Sequence, residues 1–347
     1  MSLLLAPGAW LWTTRAGAER DLTEELALLG TAARPLQDGL VLSAPPPAGA
    51  EPAFARQGLP VAALCAPEVE AVAAALRPLL RRPYALHLFS PDSEAGNALC
   101  GLVRGLQGPL TARLDRDGGP PRLDSGVAAR AAGGQLAQVC LMSDKQVAVG
   151  VVPAVSAHSL APGGRLRVRQ GGPARSARKL AEALLWLGRG PERGDLCVDL
   201  GAAPGGWTRV ALARGARVIA VDPGRLAPSL RAERRVRYVP YSAFDFVPEE
   251  PADWLLCDMA WRPLEVAALL ARWGRRRWAR FLIANIKLPM RQRAAMLARV
   301  KEILATGGWV DVRARQLYHD RDEVTVAAWR GFGVDARPPQ RRAGRDG

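Results

Sequence analysis

The stretch Asp199-Leu-Gly-Ala-Ala-Pro-Gly-Gly-Trp207 lies between a short apolar run, Leu196-Cys-Val-Asp-Leu200, and a helical pattern that starts near Thr208. Five residues of that make-up read as a buried strand. Gly201, Gly205 and Gly206 free the backbone of the turn and let a ligand approach the main chain closely. The helix that follows points its unpaired amide donors back into the turn. A strand, a glycine turn and a helix are half of a βαβ unit, so this part of the chain is committed to α/β layers.

The alternation continues around it. Helical spacing covers 179–187 and 208–214, and strand patterns cover 217–221, 253–257 and 280–285. Further helices are expected over 263–273 and 291–304, with closing strands at 310–315 and 324–329. This order predicts a doubly wound, largely parallel sheet over 173–332. Residues 333–347 are rich in Arg, Pro and Gly and read as a loose basic tail.

Ahead of that domain the pattern differs. Strands are expected at 10–14 and 39–43, with a helix between them over 19–29 that stops at Gly30. A strand over 61–66 and a helix over 68–80, ended by Arg81-Arg82-Pro83, complete a β-α-β-(β)-α order. That order predicts a small ferredoxin-like α+β unit over 1–82. A second α+β unit, 83–165, has a strand at 84–89, a helix over 97–106 and an antiparallel pair, 138–142 with 146–152. The Gly-, Pro- and Arg-rich stretch 115–134 reads as loop. The main boundary falls within 153–175.

Charge points to a partner. Lys+Arg exceeds Asp+Glu by 48 − 33 = 15, which suits a polyanion. The excess is clustered: ten basic residues and no acid lie between Arg272 and Lys301, and eight basic residues face two acids between Arg165 and Arg193. Only four of the basic residues are lysines, namely Lys145, Lys179, Lys287 and Lys301. Lysine can give up its proton when desolvated and arginine cannot, so the few lysines are the candidates for chemistry. No apolar stretch is long enough to cross a membrane, and the apolar N-terminal run lacks a preceding positive charge, so neither a span nor a signal peptide is expected. Five scattered cysteines without a C-x-x-C pair predict neither disulfides nor a zinc site and suit a reducing cytoplasm.

Two features narrow the ligand. The turn is not G-x-G-x-x-G, so the dinucleotide fingerprint fails. Asp222 ends the next strand, where an acid commonly takes a ribose hydroxyl pair. A ribose-binding acid without a pyrophosphate loop fits S-adenosylmethionine.

The D-L-G-A-x-P-G-G-W run resembles motif I of the RNA ribose 2′-O-methyltransferases with an FtsJ-like (RrmJ-like) catalytic domain. Those enzymes carry a Lys-Asp-Lys-Glu tetrad, and matching positions occur here in order: Lys179, Asp258, Lys287 and Glu323. The wording Cys257-Asp-Met, Asn285-Ile-Lys-Leu-Pro-Met290 and Arg315-Gln-Leu-Tyr-His-Asp-Arg-Asp-Glu-Val-Thr-Val326 is similar to one narrower group, the bacterial 23S rRNA cytidine-2′-O-methyltransferases of the RlmM family. The resemblance implies a ferredoxin-like and a THUMP domain ahead of the methyltransferase, and S-adenosylmethionine as cofactor. It also implies a cytidine of large-subunit ribosomal RNA, naked or partly assembled, as substrate. By position it implies cofactor contacts at Ser176, Gly201, Ala203, Pro204, Gly205, Gly206, Trp207, Asp222 and Asp258. One departure stands out: where the family tends to place an acid that reaches the adenine, this chain has Ser242.

The tetrad makes chemical sense. A ribose hydroxyl holds its proton at neutral pH and is a poor nucleophile. Lys287, neutral beside a second cation at Lys179, is the expected base, with Asp258 and Glu323 orienting both amines. No metal is called for, and the chain is expected to act as a monomer. Two other readings compete. An RNA-binding assembly factor with an inactive methyltransferase fold is disfavoured by the complete tetrad. A base N-methylase would place D/N-P-P-Y/F after the fourth strand, whereas this chain has Asp258-Met-Ala-Trp261. The three tryptophans flanking the basic run, Trp261, Trp273 and Trp278, could stack on bases, but the core is the favoured expectation for them.

Overall fold

The structure is a computed structural model and describes residues 3–116, 118–165, 175–320 and 322–330. The expected tail 333–347 lies outside these residues, as do residues 166–174 of the stretch that joins the two halves.

The first unit comprises β1 (Trp10–Thr14), α1 (Glu19–Leu28), β2 (Ala33–Gln37), β3 (Leu40–Ser43) and β4 (Ala55–Pro60). Its sheet runs β2-β3-β1-β4 with every pairing antiparallel. That is the strand order of a split β-α-β sandwich, but no helix lies between β3 and β4.

The second unit holds β5 (Ala63–Cys65), α2 (Val69–Leu76), β6 (Tyr84–Phe89), α3 (Glu94–Ala98), α4 (Cys100–Arg116), β7 (Arg122–Leu123), α5 (Gly126–Ala131), β8 (Gln135–Leu141) and β9 (Val147–Pro153). Its sheet order is β5-β9-β8-β6-β7. This corrects the expected boundary near residue 82. β5 pairs with β9, and Val72, Ala73 and Leu76 of α2 pack with Leu106 and Leu110 of α4. β4 and β5 are separated by only two residues, so local pattern could not tell which sheet each joins; long-range register decided. The stretch 115–134 is likewise not all loop. It contains the end of α4, β7 and α5, whose N-cap Ser125 accepts the Ala128 amide.

The C-terminal half holds α6 (Arg175–Leu187), β10 (Leu196–Leu200), α7 (Gly206–Ala213), β11 (Arg217–Val221), α8 (Pro228–Arg231), β12 (Val236–Val239), β13 (Ala252–Cys257), α9 (Pro263–Arg275), β14 (Ala279–Lys287), α10 (Arg293–Thr306), β15 (Val310–Arg315) and β16 (Glu323–Trp329). Its sheet runs β12-β11-β10-β13-β14-β16-β15. The first five strands are parallel, and β16 runs against both its neighbours. Apolar residues of α6 and α7 cover one face, and those of α9 and α10 cover the other. This is the doubly wound α/β sheet expected from the sequence. Strand order reverses between β10 and β13, and the crevice at their carboxyl ends is where open α/β sheets bind ligands.

The first unit is clamped between the other two. Trp12, Leu22, Leu26 and Phe54 share a core with α10 residues, while Leu11, Leu40 and Leu59 pack on Phe89, Cys140 and Met142 of the second unit. Polar ties cross the seam: Arg293 pairs with Asp21 at 3.0 Å, the Gln316 amide donates to the Ala53 carbonyl at 2.8 Å, and Arg313 pairs with Glu51.

Candidate active site

Every tetrad residue comes to the carboxyl edge of the parallel strands. Asp258 follows β13, Lys287 ends β14, and Glu323 opens β16 directly opposite Lys287 in the antiparallel register. Lys179 reaches the same edge from the start of α6. Its Nζ lies 3.5 Å from Asp258 Oδ1 and 3.2 Å from Glu323 Oε1. The arrangement differs from the expected one in one respect. Both carboxylates hold Lys179. Lys287 is exposed and makes no ion pair or side-chain hydrogen bond among the described residues, so its amine faces outward and is open to a substrate.

Burial pushes the Asp258 carboxyl above the usual range, and the neighbouring Glu323 adds to this; Lys179 and a hydrogen bond from Asn285 pull it back. Asn285 Nδ2 donates to Asp258 Oδ1 at 3.1 Å, which leaves Asn285 Oδ1 to accept from the Thr325 hydroxyl at 2.8 Å. The same hydroxyl lies 3.0 Å from Asp320 Oδ2. Burial pushes Asp320 up to about 7, and its Oδ2 accepts the Leu317 and Thr325 amides at 3.0 and 3.2 Å. Glu182, fully buried one turn beyond Lys179, accepts the amides of Tyr318 and His319 and contacts His319 Nδ1 at 2.7 Å. It ties α6 to the loop that leads into Glu323. None of Asn285, Thr325, Asp320 or Glu182 was singled out from sequence. Their one legible signal was position: each lies within a few residues of a tetrad member.

The glycine turn follows β10. Gly201 has φ +78° and Gly205 φ +114°. A Cβ on Gly206 would lie 2.0 Å from the Ser176 hydroxyl oxygen, which places Ser176 directly against the turn. Asp222 accepts the Gly224 amide at 2.6 Å and the Ala203 amide at 3.0 Å, tying the turn to the end of β11. Trp207 is buried and donates its indole N–H to the Ser176 carbonyl at 3.0 Å, so its ring props the turn from beneath. Asp199 is fully buried below the turn. Thr208 donates to its Oδ2 at 2.6 Å, its Oδ1 has no partner, and burial pushes the group up to about 7. Ser242 accepts the Phe244 amide at 3.2 Å within its own turn. Among the described residues no cluster of His, Cys, Asp and Glu could hold a metal ion, and no helix is long and apolar enough to cross a membrane.

A family model described as FtsJ-like methyltransferase matches residues 173–270. The chain is 38% identical over 354 residues to the ribosomal RNA large subunit methyltransferase M of Alkalilimnicola ehrlichii, covering 92% of this chain and 94% of that protein. It is 36% identical to the Halorhodospira halophila protein of the same name, covering 92% and 96%. This chain belongs to the ribosomal RNA large subunit methyltransferase M family. The match to that family runs through all three units, including the N-terminal half, where sequence signals were faint.

The donor set of the turn fits the cofactor that the family resemblance implied. Gly201 and Gly205 adopt the positive φ that shapes the turn, and the Asp222 carboxylate keeps free lone pairs beyond its two amide bonds. Gly205 has a second constraint. A Cβ there would lie 2.0 Å from Leu230 Cδ1, at a φ that L-residues rarely adopt. Gly205→Val is therefore expected to destabilise the fold by about 1–3 kcal/mol, and to lose ligand binding through that damage. Thermal unfolding checks this: a variant that melts with the parent but binds no S-adenosylmethionine would return the effect to a direct clash with ligand.

Of the three tryptophans expected in the core, Trp273 is fully buried and Trp278 half-buried, but Trp261 is 52% exposed. It sits just after Asp258, with its indole N–H on Glu265 at 2.6 Å. A loop at the carboxyl edge has no sheet above it to bury a ring, which local sequence does not reveal.

Proposed function

We propose that this chain transfers a methyl group from S-adenosylmethionine to the ribose 2′-hydroxyl of a cytidine in large-subunit ribosomal RNA. The observation that carries the reading is the division of labour at the carboxyl edge: one lysine held by two carboxylates, and a second, Lys287, left free beside them. The sulfonium of the bound cofactor supplies an electrophilic methyl. Lys287 takes the hydroxyl proton as the oxygen attacks. Lys179, held by Asp258 and Glu323, supplies a fixed positive charge at the edge of the site, and a proton acceptor placed on the hydroxyl is the general-base role that Lys287 fills. Ser176, Gly201, Ala203, Pro204, Gly205, Gly206, Trp207 and Asp222 form the cofactor cradle, with Ser242 at the adenine end. The first two units, ferredoxin-like and THUMP-like, supply RNA affinity; the enzyme works as a cytoplasmic monomer without a metal, on RNA that is naked or partly assembled.

A methyl on the 2′-oxygen removes the nucleophile by which alkali cleaves RNA. Purified enzyme, labelled cofactor and unmodified large-subunit RNA should yield one alkali-resistant linkage, 3′ to a cytidine. A methyl on a base, with every linkage still cleavable, would refute the reading.

A further inference from the structure

The longest basic run of the sequence, Arg272 to Lys301, does not form one patch. Lys287 and Arg291 lie at the carboxyl edge of the sheet. Arg272 donates to the Phe244 carbonyl, Arg293 pairs with Asp21, and Arg299 pairs with Glu302. The remaining arginines, Arg275, Arg276, Arg277 and Arg280, are exposed and make no ion pair among the described residues. They end α9 and open β14, so they stand at the opposite edge of the sheet from the tetrad.

The β14–β16 ladder acts as a ruler between the two edges. At one end Lys287 faces Glu323; at the other the Arg330 amide donates to the Arg280 carbonyl at 3.0 Å. Seven residues separate Arg280 from Lys287, about 23 Å along a strand. Arg189, just past the end of α6, joins the far cluster: its guanidinium and that of Arg280 both stack on Phe281, at 4.5 and 5.0 Å from the ring centroid. The nearby acids are otherwise engaged or few. Asp195 accepts from Trp254 and Glu192, and Asp253 from the Leu196 amide; Glu192 offsets part of the charge on Arg189, whereas Arg280 opposes it. Beyond Arg330 the sequence continues with Arg337, Arg341, Arg342 and Arg345 against two aspartates. Like charges held together without acids cost free energy unless an anion neutralises them.

We propose that Arg275, Arg276, Arg277 and Arg280, with Arg189, form a second RNA-backbone docking surface on the far edge of the methyltransferase sheet, which holds a segment of the substrate RNA remote from the target nucleotide. This rests on the RNA substrate of the proposed function. It assigns the surface to phosphates because bare guanidinium groups without base-reading partners suit backbone contact. An RNA large enough to span the edge touches both sites; a short fragment around the target touches only the catalytic one.

The test is a filter-binding titration with the full chain against salt, using a large-subunit RNA transcript and a short methyl-accepting fragment of it. The variant combines Arg275→Gln, Arg276→Gln, Arg280→Gln and Arg277→Asn, the last because Arg277 has φ +58°, which asparagine tolerates. Transcript affinity should fall at least about tenfold at ~0.15 M salt, and the log–log salt slope should flatten by about 3. Fragment affinity, S-adenosylmethionine binding and melting temperature should not move, and the matching lysine replacements should restore transcript binding. Unchanged transcript affinity, or equal loss on transcript and fragment, would overturn the proposal. So would intact RNA binding alongside lost binding to poly-glutamate, which would assign the surface to an acidic protein. The readout is binding, so a chain that binds RNA this way but transfers no methyl would refute the catalytic reading and leave this one standing.

Discussion

Lys287→Met is expected to slow methyl transfer by ~10²–10⁴-fold while leaving S-adenosylmethionine affinity unchanged. The side chain ends β14 beside the tetrad carboxylates, yet no described group holds its amine. Its removal takes away a proton acceptor and breaks no structural contact. Methionine keeps the length and the apolar stem of lysine, so the loop after β14 should stay in place. Calorimetry with the cofactor and single-turnover rates on unmodified RNA separate the two effects. Transfer at the parental rate would remove Lys287 as the base; loss of cofactor affinity would move it into the cradle.

Lys179→Met should also cost at least ~10²-fold in rate, but with a structural signature that the Lys287 variant lacks. Lys179 holds two carboxylates in a partly buried site, with side-chain exposures of 12% for the lysine, 19% for Asp258 and 24% for Glu323. Without its charge, burial and mutual repulsion are left to act on Asp258, whose carboxyl already stands above the ordinary range. Its folded pKa should rise further. The unfolded chain ionises near pH ~4, so between there and the raised folded value the unfolded state binds fewer protons. The variant should therefore match its parent most closely below pH ~4 and lose stability against it as pH rises towards neutrality, by about 1–3 kcal/mol. Denaturant unfolding of both proteins at three pH values checks the sign. A constant difference across that range would show that Lys179 supports the fold by packing alone.

The two lysines illustrate how far local sequence reaches. Their types, order and spacing within strand-end motifs were enough to nominate both for chemistry, because a lysine in an arginine-rich chain stands out and each sits at the end of a recognisable element. Their separate duties were not legible. Which amine the carboxylates hold depends on where α6 lies over the sheet and on the β14–β16 register, and both are set by contacts between residues 36 to 144 apart in sequence. Glu182 shows the same limit. It reads as a helix-surface acid, yet it is fully buried because the loop before β16 folds back over α6 and presents two amides to it.

The parallel α/β half, with its glycine turn and strand-end acids, was determined by sequence alone, because strand and helix periods and glycine placement act within a few residues. The N-terminal elements were also marked locally, but their allocation was not: β5 and α2 joined the second sheet through pairing with β9 and packing on α4. Likewise the basic run from Arg272 was visible as charge, while its division between the two edges of the sheet was a tertiary decision. A strand carries successive residues along its length at about 3.3 Å each, so one contiguous run of charge was drawn out across the whole domain. Composition counts charges; only the fold says which of them face the same partner.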